Sequence, residues 1–307
     1  MTHYHSVSGG AGSWLAAKLD IDRHPDEKHR FLFADTLYED ADGYRFLIEG
    51  IGYLIGRDVS NFLPRADDFP DYRVSGDFDI ETYSGNPEWR SFLRQLRADV
   101  TEAMPELIWL VEGRDPWEVF RDRKFLGNSR IDPCSIKLKR EVLAAWRDAN
   151  ANPDEDVFIV GIGTDESHRY DRLAVRMAED GWRYEAPLIG TIEGEIPFVY
   201  LTKASIERPR LYRKGYIHNN CGGYCIKGGH AHYQNRFSVD RDRYEYDAMM
   251  ERKLATYLGK PVTMLTDRAG DNVKKPMSLD DFADRILSDP QTPLFPYEPG
   301  TSGCGCF

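Results

Sequence analysis

The chain has 307 residues, 41% of them hydrophobic, with 15 Phe and 17 Tyr; this is enough for one large α/β domain, or a domain of about 200 residues with appended pieces, and it excludes a globally disordered chain. A formal net charge of −11 argues against indiscriminate coating of nucleic acid while leaving room for a local basic groove. No apolar run approaches the roughly 20 residues that span a bilayer, and the first motif lies too close to Met1 for a secretory leader, so a cytoplasmic location with no membrane partner is expected.

In chain order, His3–Val7 reads as a short buried strand, and the glycine loop Ser8-Gly9-Gly10-Ala11-Gly12-Ser13 follows at once. Trp14, Leu15 and Leu19 recur at helical spacing through Ser13–Asp20. Arg30–Ala34 is a second strand, ending at Asp35-Thr36. Ala41–Ile55 suits a helix broken by Gly50 and Gly52, and Asp58–Pro87 is loop with a short strand or two. Glu88–Ala103 is helical, Leu107–Val111 a buried strand, and Arg114–Phe125 a helix with Pro116 in its first turn. Asn128–Pro133 is loop and Lys137–Ala149 helix. Val157–Ile162 is a strand ending at glycines, with a helix over Ser167–Met177. Beyond about Arg208 come a basic stretch, a Cys/Gly segment, helices over Tyr244–Leu258 and Leu279–Leu287, and a Pro/Gly-rich tail over Pro290–Phe307. Trp109, Trp117, Trp146 and Trp182 fall in these elements and are expected in the core.

Strands alternating with helices predict an α/β fold: an open, mostly parallel twisted sheet flanked by helices. We expect a nucleotide-binding unit over 1–207 and, over 208–307, a Cys-rich loop, a helical extension and a Gly/Cys tail packed on it. Loops 8–13, 35–36 and 161–169 all follow strands, so in such a sheet they meet at one edge, where ligands bind.

Consecutive glycines at a strand-to-helix turn let backbone amides approach an anion, and the helix N-terminus adds partial positive charge. The loop lacks the Gly-Lys-Ser/Thr ending of a Walker A motif and the spacing of a dinucleotide fingerprint. Ser8-Gly9-Gly10 with Ser13 resembles the PP-loop of the adenine-nucleotide α-hydrolases, the N-type ATP pyrophosphatases and phosphoadenylylsulfate (PAPS) reductases. Phe33-Ala34-Asp35-Thr36, Cys134-Ser135-Ile136-Lys137, the 161–169 loop and Tyr216–Cys225 are similar to successive segments of the PAPS-reductase branch.

The resemblance implies an HUP-type fold and binding of an adenine nucleotide, ATP with Mg²⁺, by Ser8, Gly9, Gly10, Gly12, Ser13, Asp35, Thr36, Gly161, Gly163 and Thr164. Lys137, Arg169 and Asp35 are then the expected catalytic residues, with Lys139 and Arg140 as further cations. Two departures stand out: Ala11-Gly12 replaces the charged pair of many PP-loops, and the C-terminal Glu-Cys-Gly-Leu-His motif of the reductases is absent.

Five cysteines without a leader point away from structural disulfides and toward metal ligands or redox thiols. In the resembling reductases, cysteines at the places of Cys134, Cys221 and Cys225 hold a [4Fe–4S] cluster; a fourth ligand here would be Cys304 or Cys306, or one iron stays open. The alternatives are zinc on Cys221, Cys225, Cys304 and Cys306, with His230 or His232 as substitutes, or free thiols. Glu166 reads as a helix-start acid. Arg208, Arg210, Arg213 and Lys214 form a basic stretch, read as a solvated face or a place for an anionic acceptor.

The expected activity is cleavage of ATP to AMP and pyrophosphate, activating an acceptor (nucleic acid or small molecule) for sulfur transfer. A sulfonucleotide reductase with a nonstandard tail thiol is the alternative. A third reading is an accessory nucleotide-binding subunit, such as one of a CRISPR-associated complex on a mobile element. A homodimer or larger complex is compatible with each.

Overall fold

The computed structural model describes residues 1–128, 131–191, 196–267 and 275–288. Its centre is a five-stranded sheet, all parallel, in the order β3-β2-β1-β4-β5. The chain enters through β1 (Thr2–Ser6), turns through the glycine loop into α1 (Ala11–Arg23), and adds β2 (Lys28–Asp35), α2 (Ala41–Leu54), α3 (Pro87–Ala103) and β3 (Leu107–Val111) on one side. After α4 (Pro116–Arg123), the short turn α5 (Pro133–Ser135) and α6 (Glu141–Asn150) it returns to place β4 (Val157–Val160) on the other side of β1. Then follow α7 (Ser167–Glu179) and the edge strand β5 (Arg183–Glu185). The winding direction reverses between β1 and β4, and sheets of this kind leave a crevice at that point beyond the strand ends.

The strands on either side of β1 are apolar on both faces because helices cover both: Phe31, Leu32 and Phe33 of β2 and all four residues of β4 are buried. Gly50 and Gly52 do not break α2. They sit where other side chains press on the helix. A Cβ on Gly50 would lie 2.8 Å from the Trp14 ring, whose Nε1 donates to the Gly50 carbonyl at 3.0 Å, and one on Gly52 would lie 2.5 Å from Val59. No strand forms over Asp58–Pro87, where a single 3₁₀ turn at Ala66–Asp68 stands among loops.

The C-terminal part is helical: α8 (Ile196–Lys203), α9 (Arg210–Arg213), α10 (His230–Val239) and α11 (Arg241–Leu258), then a small antiparallel pair, β6 (Leu265–Asp267) with β7 (Lys275–Met277), and α12 (Leu279–Ser288). Tyr224, Tyr233, Phe237, Tyr244 and Leu254 share one buried cluster with Phe31, Phe33, Tyr44 and Trp117, so residues either side of 207 form one core. Among the described residues no helix is long and apolar enough to cross a membrane.

Candidate functional site

The glycine loop leaves β1 with Gly9 at φ +72°, a left-handed conformation that suits glycine, while Gly10 is extended and caps α1. Ser13 braces the loop from inside: its hydroxyl donates to the Gly10 carbonyl at 2.9 Å and accepts from the Ser8 amide at 3.2 Å. Ser8 Oγ lies 3.4 Å from Ser13 Oγ. From β4, Gly161 lies against α1 so closely that a Cβ would fall 2.5 Å from Ser13 Cα. Thr164 is spent on the neighbouring turn, bonding the Leu188 and Thr191 carbonyls and the Gly190 amide. Gly163 caps the 3₁₀ turn Thr164–Glu166.

The C-terminal segment closes over this loop. Asn219 Nδ2 donates to the Gly9 carbonyl at 2.8 Å, and the Tyr212 hydroxyl accepts from the Ala11 amide at 3.2 Å. Above Gly10 the space is bounded by Tyr212, Ser8 and Asn220, whose Oδ1 is buried without a hydrogen-bond partner.

Two residues further on, the same segment delivers Cys221, and Cys225 follows. Cys221, Gly222 and Gly223 are all left-handed, at φ 51°, 57° and 76°. A Cβ on Gly222 would meet the Tyr38 carbonyl at 2.8 Å, and one on Gly223 the Tyr216 ring at 2.6 Å, so this turn requires both glycines. Cys221 carries the strain of a non-glycine residue there, of order 1–3 kcal/mol, held by its surroundings. The Gly222 carbonyl accepts from Arg236 at 2.9 Å and Arg243 at 3.1 Å, the Gly223 carbonyl from His232 at 2.9 Å, and the Cys225 carbonyl from the Tyr233 hydroxyl at 2.9 Å. Arg236 itself is fully buried on Asp247 at 2.6 Å.

Cys134 arrives from α5, and with Cys221 and Cys225 it lines a small pocket of about 20 Å³ together with Thr36, Lys139, Tyr224 and Lys227. Burial pushes all three thiols up, Cys221 to about 12, so none is a ready thiolate by itself. The amides of Lys227 and Gly228 hydrogen-bond Cys225 and work the other way.

Lys139 is the cation at this place. Ile136–Arg140 forms a π-helical turn, whose extra residue changes the facing of the side chains that follow it. Lys139 is thereby buried, its Nζ 3.3 Å from Glu39 and without a hydrogen-bond partner, while Lys137 pairs with Glu141 at 2.7 Å near the surface. Burial opposes the charge on Lys139, but the Glu39 carboxylate, joined by the Cys221 sulfur whenever it is a thiolate, outweighs it and holds the ammonium charged. Glu39 is the hub: it accepts from the Thr36 hydroxyl at 3.0 Å and from the Cys221 amide. Beside Lys139 stands His218, pushed down to about 4 by burial and by that ammonium, with its ring stacked on His232.

Several expected site residues therefore serve other ends. Lys137 faces Glu141, its i,i+4 neighbour. Asp35 is sealed in the core, accepting from the Leu37 amide, the Tyr44 hydroxyl and Trp109 Nε1 at 2.8, 2.8 and 3.0 Å; it shapes the strand end from below. Arg169 pairs with Glu166 and lines an open cleft of about 440 Å³ with Arg140, Arg172, Arg176 and Lys227. That cleft shares Asp132 and Lys227 with the thiol cavity. The basic stretch is not a free patch: Arg210 holds Asp40 at 2.7 Å, Arg213 pairs with Glu207, Lys214 with Asp240, and Arg208 stacks on Phe198. His230 and His232 bond carbonyls of Thr266 and Gly223. Cys304 and Cys306 lie outside the described residues.

Glu39, Tyr212, His218, Asn219 and Asn220 escaped the sequence reading. Only the last three gave a signal, as polar residues directly before Cys221. Compared with protein-family models, with curated proteins and with solved structures, the chain matches none.

Proposed function

We propose that the chain is a PP-loop enzyme of HUP type that binds ATP at the Ser8–Ser13 loop and cleaves it between the α and β phosphates, in the service of sulfur transfer to an acceptor. The observation that carries this reading is that one segment, Tyr212–Cys225, touches the glycine loop through Tyr212 and Asn219 and delivers two of three clustered cysteines. A phosphate site and a thiol site are thus built from the same stretch of backbone.

The chemistry asked of the protein is electrostatic. The amides of the loop and the N-terminus of α1 take phosphate charge, with Mg²⁺ sharing it. An acceptor oxygen attacks the α-phosphorus, the bond to the bridging oxygen breaks, and pyrophosphate leaves; a sulfur nucleophile then displaces AMP from the adenylated acceptor. Ala11-Gly12 supplies no side-chain cation, and Lys139 is a buried cation lining the thiol pocket.

Taken without Cys304 and Cys306, the three described cysteines fit an iron–sulfur cluster better than one zinc ion. A tetrahedral zinc site with Zn–S of about 2.3 Å brings sulfurs to roughly 3.8 Å of each other. The three sulfurs here are not all within 4.8 Å of one another. A cluster spreads its thiolates over separate iron corners. Cys134, Cys221 and Cys225 would hold it, Lys139 would offset the negative charge of its thiolates, and the Lys227 and Gly228 amides would donate to the Cys225 sulfur. When bound, such a cluster supplies redox-active iron beside the nucleotide.

The test is Gly10→Val. Gly10 has an extended backbone that any residue adopts, and its missing side chain faces the space bounded by Tyr212 and Asn220, with a Cβ 3.3 Å from the Tyr212 hydroxyl. The variant should remain cooperatively folded, with a melting temperature lowered only by what displacing the Tyr212 hydroxyl costs, and lose ATP binding by calorimetry. Wild-type affinity in a folded Gly10→Val protein would remove the phosphate-loop assignment.

A further inference from the structure

At the opposite end of the sheet, four of the chain's eight histidines surround one carboxylate. His3 and His5 lie on β1, His29 opposite His3 at the start of β2, and Asp20 and His24 at the C-terminal end of α1. Asp20 is 1% exposed, His3 2% and His5 1%. Asp20 Oδ2 lies 2.7 Å from His3 Nδ1, 3.7 Å from His5 Nε2 and 3.9 Å from His29 Nδ1, and its Oδ1 is 4.0 Å from His24 Nε2. Ligating atoms of His3, Asp20 and His29 all fall within 4.8 Å of one another, the one such group among the described residues.

Three physical features separate this cluster from an ordinary hydrogen-bonded core histidine. First, the carboxylate is buried close to a helix C-terminus, where the partial negative charge of the helix repels it. Among the described residues its ion-pair partners are all imidazoles, and none of them carries a permanent charge. A buried carboxylate without a fixed countercharge is costly. Second, His29 Nε2 is engaged with the His24 carbonyl at 2.9 Å, so Nε2 carries the proton and the Nδ1 lone pair faces Asp20 and His5. A ligating histidine is oriented in this way by a carbonyl on its other nitrogen. Third, His5 Nε2 lies 3.7 Å from Asp20 Oδ2 and 3.0 Å from His29 Nδ1, so nitrogens of three imidazoles converge on one carboxylate oxygen.

We propose that His3, Asp20 and His29, with His5 at the fourth position, bind a divalent transition metal of the zinc class. The spacing suits it: nitrogen and oxygen donors at about 2.0–2.1 Å in a tetrahedron stand roughly 3.3 Å apart. The observed separations of Asp20 from His3, His5 and His29, and of His5 Nε2 from His29 Nδ1 at 3.0 Å, bracket that value. Imidazole with carboxylate is a donor set that zinc accepts. The ion would clasp β1, β2 and α1 at the strand ends away from the glycine loop, so its role is structural.

The experiment uses the full chain with all five cysteines replaced by serine, which removes every thiol ligand. It is stripped with chelator and titrated with Co²⁺ and then Zn²⁺, reading metal content, visible ligand-field absorbance and melting temperature. One equivalent bound, a tetrahedral Co²⁺ spectrum, and a rise in melting temperature are expected. His29→Gln and Asp20→Asn in the same background should weaken binding by more than the roughly 10–100-fold cost of losing only an orienting partner. If the all-serine chain does not fold, the wild-type protein serves: His29→Gln should then lose one equivalent of zinc while any absorbance owed to the thiols is unchanged. No metal beyond that held by thiols, or equal binding in His29→Gln, would overturn the proposal and leave a histidine network whose carboxylate is served by an imidazolium.

Discussion

At the scale of single residues, Lys139 and Asp35 show how burial assigns roles. Lys139 is a buried ammonium 3.3 Å from Glu39, whose carboxylate keeps it charged. Lys139→Met keeps the buried stem and removes the charge, so the fold should persist while anaerobically purified protein loses several-fold of the visible absorbance expected of a thiol-bound cluster. Full occupancy in that variant would remove Lys139 from the site. Asp35 is pushed up from 3.8 to about 6 by burial and by Glu39, against the hydrogen bonds it accepts. Its folded form keeps a proton that the unfolded chain has already lost, so its contribution to stability is full below its ordinary value and fades as pH rises through about 6. Glu251, raised to about 7 by burial, acts in the same sense. The melting temperature should therefore fall between about pH 4 and 7, and Asp35→Asn should flatten the part of that fall below about pH 6. An equally steep fall in Asp35→Asn would place the effect on other groups.

At the scale of elements, local pattern and long-range contact part company. The strands β1 to β4 and helices α1 to α4 were legible because apolar runs, periodicity and punctuating residues are local signals. Gly50 and Gly52 misled as helix breakers, since their reason is the close approach of Trp14 and Val59, which no local window contains. Gly50→Leu should overpack that contact and cost about 1–3 kcal/mol, read as a shift in denaturant midpoint; an unshifted midpoint would mean that α1 does not pack there. The π turn at Ile136–Arg140 was equally hidden, and with it the exchange of Lys137 for Lys139. The Cys221–Gly222–Gly223 turn was legible as special from its glycines. Its anchorage on Arg236 and Asp247 was not, because it joins residues on two later helices.

At the scale of the whole molecule, the parallel sheet brings loops from β1, β2 and β4 to one edge, as the alternation of strands and helices predicted. The unpredicted part is the return of the C-terminal half, which shares the core and lays Tyr212–Cys225 over the glycine loop. That return joins the glycine loop to the cysteine cluster. The most direct test of the proposed activity is to incubate anaerobically purified protein with ATP and Mg²⁺ and separate the nucleotide products. We expect AMP and pyrophosphate in equal amounts, with none formed by Gly10→Val. ADP with orthophosphate, or ATP left both unbound and unchanged, would contradict it.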